Sequence, residues 1–418
     1  MSLTLVCHSP CPVALYGAMS ASVAYAEDAV LMHLPIQFPS EAGADSVQMV
    51  AASGALVPSG LLWYERLTAR EVLPASTVEA IVAQAGESSV VVPWDAAYQS
   101  VALLENLLAQ AAKADVSIRR LTVRNECETW YLVDERGEAT TYSHWRRDDY
   151  GRWVINESAH AQSPVMPSLF VALIGTQSDQ KDVYPATLAA LADAADATGQ
   201  NLQVQFVDPQ SLNIQTLEAA DAIVLPGGSD MDNVPGQISA ARHALVSGTP
   251  VLGLCLGMQS MSTALAQSIP GLEQANMAEA EPDAAIKSFV PMAGLPGLED
   301  HRLGDRRLSF RGPAMGQRFQ AHSTIRCNHR FMLNPDLVDA LTKSGMVVTA
   351  TDSTGQVVDA MAWPHHVFYQ GMQGHPEQSS SAGKAHPLIT DFLQAAKDAK
   401  VSAHTRWSAQ KGASTRPD

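Results

Sequence analysis

The sequence predicts an α/β protein whose larger, C-terminal domain is built around a mostly parallel central sheet. Apolar, strand-like runs alternate with helical stretches in this part of the chain, and that order is typical of parallel sheets. The predicted strands are 169–174, 203–207, 222–225 and 250–254, and the predicted helices are 184–197, 236–247 and 257–267. Sites in such sheets gather beyond the carboxyl ends of the strands. Functional residues are therefore expected in the segments that directly follow these strands.

A smaller α/β or α+β domain is predicted to precede this sheet. Apolar strands are expected near 3–7 and 89–93, helices at 76–85 and 97–113, and an antiparallel meander over 117–156. The aromatic and basic residues of the meander are compatible with a ligand site or with packing inside a sheet, and we favour packing. The role of this domain is left open by its sequence.

Composition sets the expected domain boundaries. A stretch rich in serine and proline, 158–167, is interpreted as a linker, which assigns the N-terminal domain to 1–160 and the C-terminal domain to 167–400. Residues 401–418 are predicted to form a polar tail, because they offer little apolar surface to bury. Two domains also suit a chain of 418 residues.

Charge and cysteine usage exclude several classes of function. The formal net charge is −16, which disfavours binding to nucleic acid and to anionic membranes. The five cysteines, including Cys7 and Cys11, show neither a disulfide framework nor the spacing of zinc ligands, so no metal and no cofactor are expected. No apolar run is long enough to span a bilayer and no signal peptide is recognised. These features predict a cytoplasmic protein with reduced cysteines.

One cysteine has the sequence environment of a nucleophile. Residues 251–259, Val-Leu-Gly-Leu-Cys-Leu-Gly-Met-Gln, place Cys255 between an apolar strand and a helix that begins at once. Small residues around it allow a sharp strand–turn–helix junction, and the helix N-terminus favours the thiolate form. A lone cysteine is more often a buried structural residue. Two further segments favour catalysis here: the strand end Pro226-Gly227-Gly228, and Gln373-Gly374-His375-Pro376-Glu377, which supplies a base and a carboxylate.

These segments, in this order, resemble class I (triad-type) glutamine amidotransferase domains, most of all the glutaminase domain of CTP synthase. Three further segments are similar to the sequence pattern of this family, namely Ala275-Asn276-Met277-Ala278-Glu279, His301-Arg302-Leu303-Gly304 and Arg326-Cys327-Asn328-His329-Arg330-Phe331. The resemblance covers residues 167–400. It implies a class I glutamine amidotransferase-like fold for that region and hydrolysis of L-glutamine to glutamate and ammonia.

The resemblance also implies a Cys-His-Glu catalytic triad. Cys255 would attack the side-chain amide carbon of glutamine and form a γ-glutamyl thioester. His375 would act as general base and then as general acid, and Glu377 would orient its imidazole. The backbone N–H groups of Gly228 and Leu256 would form the oxyanion hole.

The resemblance also implies which residues would recognise glutamine. Glu279 would accept hydrogen bonds from the α-ammonium group, and Arg330 would pair with the α-carboxylate through its planar fork of donors. The complete set of expected substrate-binding residues is Gly228, Leu256, Gly257, Met258, Gln259, Glu279 and Arg330.

The sequence departs from the CTP synthase pattern at three places. Ser229-Asp230 replaces the usual Phe-Gly, and the lid that follows lacks the family's arginine and lysine, so activation by GTP is not expected. Gly374 replaces the common phenylalanine beside the base, and Cys327 and Asn328 replace a histidine and an arginine. All three triad residues are retained.

The favoured function is a glutaminase that passes its ammonia to a partner synthetase. CTP synthase carries an amidoligase domain with a glycine-rich, lysine-containing phosphate loop, and residues 1–160 contain no such loop. Two alternatives stay open: a γ-glutamyl hydrolase that cleaves a γ-glutamyl amide, and a catalytically silent interaction module. The sequence does not decide whether the chain forms a homo-oligomer.

Overall fold

The computed structural model describes residues 2–8, 12–37, 49–156 and 168–414. The predicted linker at 158–167 and Cys11 lie outside the described residues. The chain divides into two compact units. The first contains Met1–Ser163, Gln177–Ala189 and Leu303–Asp305, and the second contains Pro164–Thr176, Ala190–Arg302 and Arg306–Asp418.

The N-terminal unit contains a sheet that is parallel on one side and antiparallel on the other. The strands of this unit are β1 Ser2–His8, β2 Val30–Leu31, β3 Met49–Val50, β4 Leu56–Val57, β5 Val90–Asp95, β6 Ser117–Glu126, β7 Thr129–Val133, β8 Trp145–Arg147 and β9 Trp153–Ile155. The sheet has the strand order β2-β5-β1-β6-β7-β8-β9, and β3 and β4 form a separate hairpin. The pairs among the first four strands of this order are parallel and the remaining pairs are antiparallel. The helices are α1 Ala18–Glu27, α2 Leu62–Thr68, α3 Val78–Glu87 and α4 Val101–Lys113.

Aromatic side chains of the meander pack inside this unit. The rings of Trp145 and Trp153 stack with centroids 5.9 Å apart, and Trp130 meets Trp153 edge to face. The indole N–H of Trp153 donates to Oγ of Ser22 at 2.8 Å. All three tryptophans are buried. The interpretation of this segment as a packed sheet therefore agrees with the structure, and these three rings serve the core.

The remaining strands and helices lie in the C-terminal part of the chain. Its strands are β10 Leu169–Ile174, β11 Leu202–Val207, β12 Ala222–Leu225, β13 Val251–Leu254, β14 Ala275–Asn276, β15 Ile286–Lys287, β16 Phe289–Pro291, β17 Arg302–Arg307, β18 Ser309–Phe310, β19 Thr324–His329, β20 Phe331–Leu333, β21 Val347–Thr351, β22 Val358–Ala362 and β23 Tyr369–Met372. Its helices are α5 Ala186–Thr198, α6 Ile214–Glu218, α7 Val234–Ser247, α8 Leu256–Gln267, α9 Pro313–Arg318, α10 Pro335–Lys343 and α11 Pro387–Ser414. Residues 401–414, predicted as a polar tail, lie in the last part of α11.

The central sheet of this part confirms the predicted α/β fold with a mostly parallel sheet. Its strand order is β11-β10-β12-β13-β23-β22-β21-β18. The pairs from β11 to β23 are parallel, and the pairs from β23 to β18 are antiparallel. Strands β12 and β13 are fully buried, as expected for a sheet covered on both faces. Because β13 and β23 are parallel neighbours, the residues that follow them lie at the same edge of the sheet.

Among the residues that the structure describes, no helix combines the length and the apolar character that a membrane span requires.

Candidate active site

Cys255 occupies a strained turn between β13 and α8. Its backbone angles are φ 48° and ψ −107°, in a region that non-glycine residues rarely adopt and that typically costs about 1–3 kcal/mol. The N–H of Cys255 donates to the carbonyl of Met372 at 2.8 Å, which ties the turn to β23. A Cβ on Gly257 would lie 2.0 Å from the carbonyl oxygen of Leu225, so only glycine fits where the helix starts. The structure therefore builds the sharp elbow that the sequence predicts.

His375 and Glu377 lie on the turn that follows β23. The Nδ1–H of His375 donates to Oε1 of Glu377 at 2.7 Å, and both side chains are buried. Burial by itself would lower the pKa of His375. The charges of Cys255 and Glu377, with hydrogen bonds to both, outweigh burial and raise this pKa well above the usual histidine value. The imidazolium is therefore stabilised between the two groups.

Gly227 lies close to the side chains of both His375 and Cys255. A Cβ at this position would lie 3.2 Å from Cε1 of His375 and 3.5 Å from Cβ of Cys255. The glycine turn after β12 thus contacts both side chains at once. Cys255, His375 and Glu377, the three residues predicted as a triad, therefore lie close together.

The two predicted oxyanion donors occupy different settings. Leu256 is the first residue of α8, so its N–H has no acceptor within the helix. Gly228 lies in the exposed loop after β12, one residue beyond Gly227. Leu256 directly follows Cys255 in sequence, and Gly228 directly follows Gly227, which lies next to the Cys255 side chain.

The predicted substrate-binding residues divide into buried and accessible groups. Met258 is fully buried, and a Cβ on Gly371 would lie 2.9 Å from its Cβ, so its side chain belongs to the core. Gln259 is also buried, and its Oε1 has no hydrogen-bond partner among the described residues. A buried amide oxygen without a partner costs about 1–3 kcal/mol, which a ligand donor would recover.

Glu279 and Arg330 are exposed and face solvent with free charges. In the described part of the chain, neither side chain has a hydrogen bond or an ion pair within bonding distance. Desolvation raises the pKa of Glu279 above its usual value, and the positive charge of Arg330 opposes that rise. The two charges therefore interact while each stays open to a ligand group of opposite sign.

Two contacts to the nucleophile were not predicted from the sequence. The Sγ of Cys255 donates to the backbone carbonyl of Asn328 at 3.8 Å, and Nε2 of Gln373 donates to the same sulfur at 3.8 Å. The side chain of Asn328 is itself held, because Nε2 of His301 lies 2.8 Å from its Oδ1. Asn328 and Gln373 both fall within the matched motifs, but no spacing rule points to a main-chain carbonyl or to a second amide at the sulfur.

The second cysteine near this site has a different character. Cys327 is fully buried, and burial raises its pKa to about 12. It therefore stays a thiol at neutral pH and lacks the reactivity of a thiolate. Within the described ranges, no group of three or more histidine, cysteine, aspartate or glutamate side chains is arranged to hold a metal ion.

A buried ion pair supports the strands next to the site. Arg302 binds Asp359 through two hydrogen bonds of 2.6 and 3.1 Å. Nη1 of Arg302 also donates to Nε2 of His329 at 3.2 Å, and the Nδ1–H of His329 donates to the carbonyl of Phe331 at 2.9 Å. Burial, together with the charge of Arg302, lowers the pKa of His329 to about 3, so this histidine is neutral. The backbone carbonyl of Asp359 accepts the N–H of Gln373 at 2.8 Å, which links the pair to the turn that carries His375 and Glu377.

Replacing Gly374 with phenylalanine, the residue common in CTP synthases, is expected to reduce both stability and activity. A Cβ at Gly374 would lie 2.5 Å from Cγ1 of Ile325 and 3.0 Å from the carbonyl oxygen of Arg326. That carbonyl accepts the N–H of His375 at 2.8 Å, so any displacement also moves the base. Overpacking of this kind costs about 1–3 kcal/mol, which urea unfolding would measure.

Two controls make this prediction specific. Gly86→Phe introduces the same side chain at a position with no atom within 4 Å of the new Cβ, and should change stability little. Ile325→Ala added to Gly374→Phe should recover part of the loss. A fully stable and active Gly374→Phe variant would contradict the steric explanation.

Comparisons with known proteins find similarity to glutamine amidotransferases and to CTP synthases. The family model for Glutamine amidotransferase class-I matches residues 180–395. A CTP synthase of Dehalococcoides mccartyi is 31% identical over 241 residues, which cover 55% of this chain and 44% of the relative. A CTP synthase of Trichormus variabilis is 32% identical over 239 residues, covering 54% and 43%. The chain therefore spans less than half the length of these curated relatives.

A solved structure supports the same relation. The glutaminase domain of the Trypanosoma brucei CTP synthase, determined with bound acivicin, is 25% identical with a TM-score of 0.51, and the match covers 55% of this chain and 94% of that one.

Proposed function

This chain belongs to the Glutamine amidotransferase class-I family, and from that membership we propose that it hydrolyses L-glutamine to glutamate and ammonia through Cys255, His375 and Glu377. The observation that supports this most is the strained elbow of Cys255 beside a buried, hydrogen-bonded His375–Glu377 pair. A strained backbone is maintained only where the surrounding structure enforces it, and such strain is concentrated at functional sites.

The first half-reaction forms a thioester. The thiolate of Cys255 attacks the side-chain amide carbon of glutamine, and the N–H groups of Leu256 and Gly228 stabilise the oxyanion of the tetrahedral intermediate. The C–N bond then breaks. His375 gives its proton to the departing nitrogen, so ammonia leaves and a γ-glutamyl thioester stays on the sulfur.

The second half-reaction restores the enzyme. Neutral His375 takes a proton from water, and the hydroxide formed attacks the thioester carbon. Glutamate leaves as the C–S bond breaks, and the thiolate–imidazolium pair is regenerated. Glu377 keeps Nδ1 protonated throughout, so Nε2 always faces the reacting atoms.

The amino acid end of the substrate would bind at the accessible charges. The α-carboxylate would pair with Arg330 and the α-ammonium group with Glu279. The partnerless Oε1 of Gln259 would accept a hydrogen bond from the substrate, which removes a buried unsatisfied group. This arrangement selects compounds with a free α-amino acid end.

Glu377→Gln is expected to lower kcat about 10²-fold or more and to move the alkaline limb of the pH profile to lower pH. The charge of Glu377 is one of the causes that raise the pKa of His375. Without that charge, the imidazolium loses its proton at a lower pH, and the proton that ammonia needs on leaving is lost with it. The measurement is kcat/KM for glutamine between about pH 5 and about pH 10. The exposed Glu281 offers a matched control, since Glu281→Gln should keep the wild-type profile. An unshifted alkaline limb in Glu377→Gln would mean that this carboxylate does not act on the base.

Ammonia released by this site would be used by a partner synthetase. Free ammonia becomes protonated in water at neutral pH, so an amination step needs the glutaminase close to its acceptor. The relatives named above are CTP synthases, and the chain matches less than half of their length. We place the protein in the reducing cytoplasm, because Cys255 must stay reduced to react.

The experiment that tests this function measures glutamate and ammonia release from L-glutamine by the purified protein. Equal, Cys255-dependent release of the two products supports the proposal. Cys255-dependent release of glutamate only from other γ-glutamyl amides would instead identify a γ-glutamyl hydrolase. No release from any substrate, alone or with candidate synthetases, would identify a silent module and overturn the proposal.

A further inference from the structure

An apolar cavity of about 940 Å³ lies in the C-terminal unit, and none of the proposed catalytic or substrate-binding residues lines it. Its walls come from the loop that carries Leu295 and Leu298, from one face of α10, and from β21 with the turn that precedes β22. Cavities of roughly 300–1,000 Å³ with mostly apolar walls and a few placed polar groups are typical of small-molecule sites.

The walls are firmly held. Met332, Val348 and Val358 are buried at its base. Helix α10 begins with a proline, and the side chain of Asn334 accepts the N–H of Asp336 at 3.0 Å, so its first turn is capped. In contrast, Val347 lines the cavity and is 44% exposed. The cavity thus combines buried apolar walls with apolar surface that solvent can reach.

One unpaired charge stands at this cavity. Two ionisable residues line it, and the carboxylate of Asp339 is already paired with Nζ of Lys343 at 2.6 Å. The guanidinium of Arg311 has no hydrogen bond or ion pair to any described residue, while its backbone N–H is fixed to the carbonyl of Thr349 at 2.8 Å. In a chain with a net charge of −16, an unpaired guanidinium beside apolar walls is a candidate anchor for an anionic ligand.

We propose that this cavity binds a small amphipathic carboxylate, whose apolar body lies against Met332, Val338 and Val348 and whose carboxylate pairs with Arg311. Apolar burial supplies most of the affinity, at roughly 25 cal/mol per Å² of area removed from water. The planar guanidinium matches a carboxylate through two parallel hydrogen bonds, which sets the orientation and the preference for an acid over a neutral compound. This inference does not rest on the proposed glutaminase function.

The test uses the full chain and a fluorescent fatty acid, 11-(dansylamino)undecanoic acid, with decanoate and decanol as matched competitors. Saturable binding is expected, with decanoate displacing the probe more effectively than decanol. Arg311→Gln should weaken decanoate at least about tenfold and leave decanol unchanged, because only the acid uses the guanidinium. Val338→Asp should weaken both competitors, since it places a carboxylate in the apolar wall.

Controls exclude a general charge effect and self-association. Arg307 is also exposed but does not line the cavity, so Arg307→Gln should bind like the wild type. Circular dichroism would establish that each variant is folded. The proposal is overturned if no saturable binding is seen, if Arg311→Gln binds decanoate as tightly as the wild type, or if light scattering shows that a second copy of the chain occupies the cavity and excludes the probe. Because binding is read without turnover, these outcomes are independent of glutaminase activity.

Discussion

Cys255→Ala is expected to abolish glutamate and ammonia release from glutamine while the fold is retained. Removing a triad nucleophile typically costs about 10⁴–10⁶-fold in kcat, because no other group at the site can form the thioester. Stability should change little. The backbone N–H of residue 255 would still donate to the carbonyl of Met372, and the elbow is enforced by the close packing of Gly257 on Leu225.

Cys127 provides the matched control for the Cys255→Ala variant. Cys127 is exposed and belongs to the meander of the N-terminal unit, so Cys127→Ala should keep full activity. Turnover would be followed by enzymatic detection of both products, and folding by circular dichroism and thermal unfolding. Residual turnover close to the wild-type rate in Cys255→Ala would refute the assigned nucleophile and, with it, the proposed mechanism.

The parallel half of the central sheet could be predicted from the sequence because its strands are continuous apolar runs. Strand β10 was predicted at its observed bounds, and β11, β12 and β13 lie within a residue of their predicted bounds. Helix α7 begins at Val234, two residues before the prediction, since Pro235 occupies the first turn, where its missing N–H costs nothing. Buried strands and their crossover helices carry a strong local signal, which explains this agreement.

The antiparallel half of that sheet has no comparable local signal. Strand β18 has two residues and pairs with β21, which is far away in sequence. Strands β14, β15 and β16 belong to separate two-stranded sheets, and their two or three residues are likewise too few to show a period. Their formation depends on tertiary pairing, so their bounds could not be read from single-sequence patterns.

The site shows the same division between local and tertiary information. Cys255, His375 and Glu377 lie in short sequence motifs, and the neighbouring residues of each motif make them recognisable. The carbonyl of Asn328 approaches the sulfur through main-chain geometry, which side-chain identity does not encode. Likewise, Arg302 and Asp359 are 57 positions apart, and neither residue alone predicts a buried ion pair.

Asp359→Ala is expected to destabilise the protein by about 3–5 kcal/mol, since it leaves the guanidinium of Arg302 buried without its counter-charge. Both side chains of this pair are almost inaccessible, at 6% and 0% exposure. The exposed pair of Arg318 and Asp391 is the matched control. There Asp391→Ala should cost at most about 1 kcal/mol, because solvent replaces the lost partner.

Urea unfolding of Asp359→Ala and Asp391→Ala measures the two losses of stability. A double variant then tests whether the larger loss comes from the unpaired charge of Arg302. Arg302→Met combined with Asp359→Leu should recover most of the stability, because a buried ion pair is rarely better than apolar side chains of similar volume. Equal, small losses in Asp359→Ala and Asp391→Ala would show that the Arg302 pair is solvated. If the double variant is stable but turns over glutamine slowly, the ion pair acts on catalysis through the strand that carries Gln373, whose N–H the carbonyl of residue 359 accepts.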